Sequence, residues 1–120
     1  MLIKYENDLI TYDNTEVYHE DIFIYNAPNY FEVIPGNPEI TGPVCTVNFQ
    51  RGPIKEYGVN GAFNEDLIAM VLCRLEHFQK TEFSCRENAV AITKLEEALM
   101  WLRKRTLNRM KRGVLNTYNK

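Results

Sequence analysis

The sequence has little on which catalytic or metal chemistry could be built. Its two histidines, His19 and His77, stand isolated, without metal-ligand spacing to another histidine, a cysteine or a run of carboxylates. Its three cysteines, Cys45, Cys73 and Cys85, are odd in number, and no two of them have CxxC or zinc-finger spacing. That pattern argues against a disulfide framework or a zinc ribbon, and predicts reduced, partly buried thiols that act as small hydrophobes. No apolar run approaches the roughly 18 residues that a membrane span needs. Met1 is not followed by a long apolar stretch with a small-residue cleavage site, so no signal peptide is expected and the cytosol is the default compartment. A phosphate-cradling glycine-rich loop, a Cys–His or Ser–His pairing and a convincing carboxylate pair are all missing. Glu96-Glu97 and Glu65-Asp66 read as solvated helix face and helix-start charge. An enzyme is the weakest of the functional classes, and neither cofactor nor metal is expected.

Acidic residues are also missing from one end. The last twenty positions hold seven of the fourteen bases (Arg103, Lys104, Arg105, Arg109, Lys111, Arg112 and Lys120) and no acid. The first hundred therefore carry seven bases against sixteen acids, and the formal net charge of −2 hides a positive end on a negative body. Such an asymmetry suggests an anionic partner or self-association of unlike surfaces. The weak overall charge argues against a general binder of nucleic-acid polymers.

At 120 residues the chain is expected to form one domain, β-rich over 1–60 and helical over 61–120. The fold class predicted is α+β: an N-terminal antiparallel sheet followed by a C-terminal antiparallel helical hairpin with one long helix. Candidate strands are Leu9–Tyr12, Asp21–Tyr25, Tyr30–Ile34 and, most clearly alternating, Val44–Gln50, with Ile54–Tyr57 as a partner strand beyond Arg51-Gly52-Pro53. Asn64 is the expected cap of a first helix whose apolar face runs through Leu67, Ile68, Met70, Val71, Leu72, Leu75 and Phe78. Arg74, at the edge of that face, is expected to pair with a carboxylate of the neighbouring helix. Ser84-Cys85-Arg86-Glu87 reads as a capping box, and nothing interrupts the helix behind it until Gly113, a natural residue just past a helix end.

About 29 helical residues at 1.5 Å each span roughly 43 Å. A compact domain of this size is only about 35 Å across. The stripe Ile92, Leu95, Leu99, Leu102, Thr106, Met110 therefore outruns its own core, and an oligomer with helices in the interface is expected. With Thr106 at the centre of the stripe, Arg105, Arg109 and Arg112 fall on one flank as a ridge. Cations near a helix C-terminus are favoured by the helix dipole and need no ligand. Three arginines side by side repel, however, and their planar forks suit phosphate. From spacing alone both readings stay open.

The segments Gly58-Val59-Asn60-Gly61, Arg74-Leu75-Glu76-His77-Phe78-Gln79, Cys85-Arg86-Glu87-Asn88-Ala89, Thr93-Lys94-Leu95-Glu96-Glu97-Ala98-Leu99 and Arg112-Gly113-Val114 resemble the hairpin domain shared by two phage immune-evasion families, the anti-CBASS and anti-Thoeris sponges. The resemblance covers roughly residues 44–117, and the β-rich extension before it looks like the anti-Thoeris branch. It implies a phage or prophage protein working in the cytoplasm of the infected host. Such a protein sequesters a cyclic nucleotide signal without cleaving it; for the anti-Thoeris branch that signal is glycocyclic ADP-ribose. The resemblance also implies homo-oligomers, dimers that build hexamers, and in some members separate pockets for cyclic oligonucleotides. On that reading Phe83 offers a face to a base, and Arg109 and Arg112, with Arg105 behind, take the pyrophosphate. Asn88 and Asn108 read ribose or base edges, and Arg51 and Arg86 serve a second pocket. The role of the tail after Gly113 is left open. The competing reading is a small oligomeric interaction or regulatory protein whose basic helix end docks an acidic protein surface or nucleic acid.

Overall fold

A computed structural model describes all 120 residues. The chain forms two compact units: Met1–Gly52 with Val59–Ala62, and Pro53–Gly58 with Phe63–Lys120. The first is a four-stranded antiparallel meander in the order β1 (Leu2–Lys4), β2 (Thr15–Glu20), β3 (Tyr30–Pro35), β4 (Cys45–Asn48). The second holds a single helical turn, α1 (Ile54–Tyr57), and the hairpin of α2 (Asn64–Phe78) and α3 (Arg86–Lys111). The predicted α+β class, sheet first and long helix last, is what the chain adopts.

Tyr30–Ile34 and the Val44 strand were legible, but the first two strands fall elsewhere. Leu9–Tyr12 is not a strand, because Asn7 curls the chain: its side-chain oxygen accepts from the Leu9 N–H at 2.9 Å and its carbonyl from the Ile10 N–H at 2.9 Å. Asp21–Tyr25 lies past the last paired residue, Glu20, and Ile22 and Ile24 are both 81% exposed. The real β2, Thr-Glu-Val-Tyr-His-Glu, is rich in charge, which hid it. Its carboxylates are paired in the fold, Glu16 with Lys4 at 2.8 Å and Glu20 with Arg51 at 3.1 Å. One cross-strand row carries the sheet's aromatic packing. His19 opposes Phe31, Phe31 opposes Val47, and the Phe31 and Phe49 rings meet edge-on at 5.4 Å.

Gly36 closes the β2–β3 end of the meander. Its N–H donates to the Asn14 carbonyl at 2.8 Å, and a Cβ there would lie 2.0 Å from the Asp13 carbonyl oxygen. The obstacle is backbone, so it cannot swing aside. Gly36→Ala is expected to cost about 1–3 kcal/mol and lower the melting temperature by several degrees. An unchanged melting curve would show that the turn gives way freely. Thermal melting of the same variant by far-UV circular dichroism also tests our proposal that residues 1–120 form one domain, since the helical signal then shifts together with the sheet.

In the second unit, Ile54–Tyr57 is helical rather than a strand. Pro53 has no N–H for a ladder and its φ of −67° starts a turn, closed by the Tyr57 and Gly58 N–H groups on the Pro53 and Ile54 carbonyls. Helix α2 begins one residue earlier than expected, at Asn64 itself. Asn64 is the first helical residue, Phe63 occupies the cap position, and the Asp66 carboxylate accepts the Phe63 N–H at 2.8 Å. The capping box at Ser84 does not form. Gln79 instead holds both backbone groups of Cys85, accepting its N–H and donating to its carbonyl at 3.0 Å each, so Cys85 becomes the cap of α3. The far end is as read: Gly113 (φ 72°) and Val114 donate to the Met110 and Arg109 carbonyls, a Schellman closure.

The hairpin buries little. Leu72 is its one buried apolar side chain besides Pro53, and the predicted α3 stripe is half-buried from Ile92 to Thr106 but exposed at Met110. A second apolar line went unread: Met100 and Trp101 are each 68% exposed and Leu107 44%, with the Lys104 ammonium 5.0 Å from the centre of the Trp101 ring.

Candidate ligand-binding site

Helix α3 places Arg105 and Arg109 in its last two turns and Arg112 at its C-cap, and each meets a different environment. Arg105 is exposed and has no carboxylate partner. Arg109 is half-buried, and its Nη2 donates to the carbonyls of Val114 at 2.9 Å and Thr117 at 3.1 Å. Arg112 is exposed, and its Nη1 donates to the main-chain oxygen of Lys120 at 2.7 Å. The tail is folded back on this end. The Thr117 hydroxyl bonds the Val114 carbonyl at 2.5 Å, Asn116 takes a positive φ of 63°, and its carbonyl receives the Lys55 N–H at 3.1 Å. Asn108 is exposed on the same turns. The result is a concentrated positive end: four cations between Arg105 and Arg112, three of them arginines, with no acidic side chain among the last twenty residues. It is suited to an oxyanion.

Phe83, Arg86 and Asn88 gather at the other end of the helix. Phe83 lies in the α2–α3 turn, 67% exposed, with its N–H on the Thr81 hydroxyl at 3.1 Å. Arg86 is the exposed first residue of α3, and Asn88, half-buried, is the third. Seventeen residues of helix separate Asn88 from Arg105, about 26 Å at 1.5 Å per residue. The predicted residues thus form two groups at opposite ends of one rod.

Arg51 belongs to the sheet unit and is not free. Its Nη2 donates to Glu20 Oε2 at 3.1 Å, while Glu20 Oε1 accepts the Asn29 N–H at 2.8 Å. Asn29 is buried and donates its side-chain amide to the Gln50 carbonyl at 2.8 Å. The Asn60 side chain fastens Arg51 from the other side, accepting its N–H and donating to its carbonyl. This clasp holds the Glu20 carboxyl below the usual glutamate range, first through the Asn29 N–H and then through Arg51, against burial, which pushes it up. A depressed folded-state value means that the clasp contributes fully above the unfolded pKa of about 4.3 and is lost as pH falls through the lower folded value. Glu20→Gln is therefore expected to flatten the acid side of the melting-temperature profile. An unaltered acid limb would show that other groups control it.

Several side-chain expectations are corrected. Arg74 pairs with no carboxylate; its guanidinium lies over the Phe78 ring, 5.7 Å from the centroid. His77 is not isolated, because one helical turn brings its Nδ1 within 3.7 Å of Cys73 Sγ and 2.8 Å of the Cys73 carbonyl. All three cysteines are exposed rather than partly buried. No three His, Cys, Asp or Glu side chains lie close enough together to hold a metal ion, and no helix is long and apolar enough to cross a membrane.

Residues 42–107 match the family model described as the Acb2/Tad1 hairpin domain, which takes in β4, α1, α2 and α3 as far as Leu107. The whole chain is also similar to the Bacillus phage SBSphiJ7 protein named Thoeris anti-defense 1. The two are 48% identical over 138 aligned positions, which cover 96% of this chain and 97% of the relative. The hairpin resemblance read from the sequence is thereby upheld. The family model stops short of Arg109, Arg112 and the tail, whereas the resemblance was read to about residue 117.

Proposed function

Because the chain belongs to the Acb2/Tad1 hairpin family, we propose that it is a phage or prophage anti-Thoeris protein which binds glycocyclic ADP-ribose and sequesters it uncleaved. It acts in the cytoplasm of the infected host. The observation that carries this reading is the arginine end of α3, a cationic rim without an acidic side chain, on a chain 48% identical to a protein named for Thoeris anti-defence. Guanidinium forks suit a pyrophosphate. Nothing near them resembles a nucleophile with its base, so binding without turnover is the chemistry this end supports.

The two ends of α3 also bear on assembly. A nucleotide cannot touch Phe83 and Arg109 of one protomer, because the helix from Arg86 to Arg109 alone spans about 35 Å. Two copies with antiparallel helices bring the aromatic end of one beside the arginine end of the other, so the binding unit is a homodimer, and dimers assemble further into hexamers. Cyclic oligonucleotides are secondary ligands, with the exposed Arg86 as a candidate contact.

Ligand at a hundredfold excess over Kd is expected to stabilise the protein by about 2.7 kcal/mol, read as a rise in melting temperature. Glycocyclic ADP-ribose should then return intact from the heat-denatured sample. Recovery of hydrolysed ligand would overturn binding without turnover. Absence of any stabilisation would favour a protein that docks an acidic partner through the same basic end.

A further inference from the structure

Arg109 is asked to do two things. Each of the two bidentate faces of a guanidinium, Nε with Nη2 and Nη1 with Nη2, includes Nη2. In Arg109 that nitrogen meets two carbonyl acceptors, Val114 at 2.9 Å and Thr117 at 3.1 Å. Arg112 differs, because only its Nη1 is engaged, on Lys120, and its Nε–Nη2 face is open. Gly113, at a positive φ of 72° with nothing within 4 Å of where a Cβ would stand, is the pivot from which the tail turns back. Within the tail the Thr117 hydroxyl and N–H both donate to the Val114 carbonyl, and the Asn119 N–H to the Thr117 hydroxyl. The segment is thus a small folded piece fastened to Arg109 and Arg112.

We propose that Val114–Lys120 is a latch whose carbonyls compete with the phosphate of a ligand for the bidentate face of Arg109. The inference rests on the reading of Arg109 as a phosphate ligand, and adds that ligand entry requires the tail to let go. Arg112, with an open face, makes the first contact. Arg109 follows once Val114 or Thr117 releases Nη2. A guanidinium that already holds two carbonyls is also kept in place before the ligand arrives, so the latch orients the arginine it later yields.

Amide hydrogen exchange on the full-length protein tests this, with glycocyclic ADP-ribose and inorganic pyrophosphate as separate probes. Ligand binding is expected to raise exchange at Thr117 and Asn119 at least about tenfold. Arg109→Ala is expected to give that fast exchange without any ligand, and slow exchange in this variant would overturn the latch. Thr117→Pro, which removes the hydroxyl and N–H that fold the tail, is expected to tighten ligand binding by about three- to tenfold, because the latch no longer has to be released to reach the competent state. Binding with unaltered tail exchange overturns the latch and leaves the ligand reading standing. Failure of both probes to bind overturns the ligand reading and the latch with it.

Discussion

Arg109→Ala is expected to weaken binding of glycocyclic ADP-ribose by about a hundredfold or more in calorimetry, with the oligomer intact in sedimentation. Hydrogen bonds to a charged group contribute about 1.5–3 kcal/mol each. Losing a bidentate pair therefore exceeds the roughly 2.8 kcal/mol that corresponds to two decades of affinity. The side chain is half-buried among tail carbonyls, so water does not screen it as it does an exposed lysine. Arg109→Lys separates charge from geometry: a point charge keeps the attraction but not the planar fork, and its affinity is expected to fall between wild type and the alanine variant. Arg105→Ala, on an exposed side chain without a partner, is expected to have the smallest effect of the three arginines. Unchanged affinity in Arg109→Ala would remove this residue from the site.

The contrast between Arg109 and Arg105 could not be read from spacing. Helical period places both on one flank of the Thr106 stripe. What separates them is the tail, and a tail held by side chain-to-carbonyl bonds leaves no periodic signal. Gly113 was legible, because a helix end that needs a positive φ selects glycine. Asn116 and Thr117 were not, since their contribution depends on where the chain goes after the glycine. The same division runs through the sheet. Cys45–Asn48 and Tyr30–Ile34 alternate and were visible. Thr15–Glu20 hid behind its charges, whose partners Lys4 and Arg51 are 12 and 31 residues away from Glu16 and Glu20. Apolar pattern reports burial. A charged strand is recognisable only once its ion pairs are known.

Gln79 teaches a related lesson. Ser84 and Glu87 satisfy the capping-box spacing, yet a side chain from the preceding turn reaches Cys85 first and moves the helix start by one residue. Local motifs lose when a neighbour can satisfy two backbone groups at once. At the candidate site this shift sets Arg86 and Asn88 at the first and third helical positions, beside Phe83. An aromatic face, a cation and an amide thus come together at the end of α3 opposite the arginines.

Trp101→Glu is expected to break the assembly while leaving the protomer folded. The ring is 68% exposed in the single chain and its polar neighbour Lys104 lies over it, so the helix loses little of its own packing when the ring is removed. If this line of Met100, Trp101 and Leu107 is covered by a second copy, the same change removes a large aromatic anchor and buries an unpartnered carboxylate. Truncation of such an anchor alone costs about 2–4 kcal/mol, and the buried charge adds to it. The subunit dissociation constant is then expected to rise at least about a hundredfold, seen as a drop in sedimenting mass at micromolar concentration with helicity unaltered. Ligand binding is expected to fail with it, because Phe83 and Arg109 lie at opposite ends of α3 and the proposed pocket joins them across two chains. The two variants should therefore dissociate the properties in one direction: Arg109→Ala loses the ligand but keeps the oligomer, whereas Trp101→Glu loses both. A Trp101→Glu protein that sediments as a monomer and still binds glycocyclic ADP-ribose would place the whole site within one protomer and overturn the shared pocket.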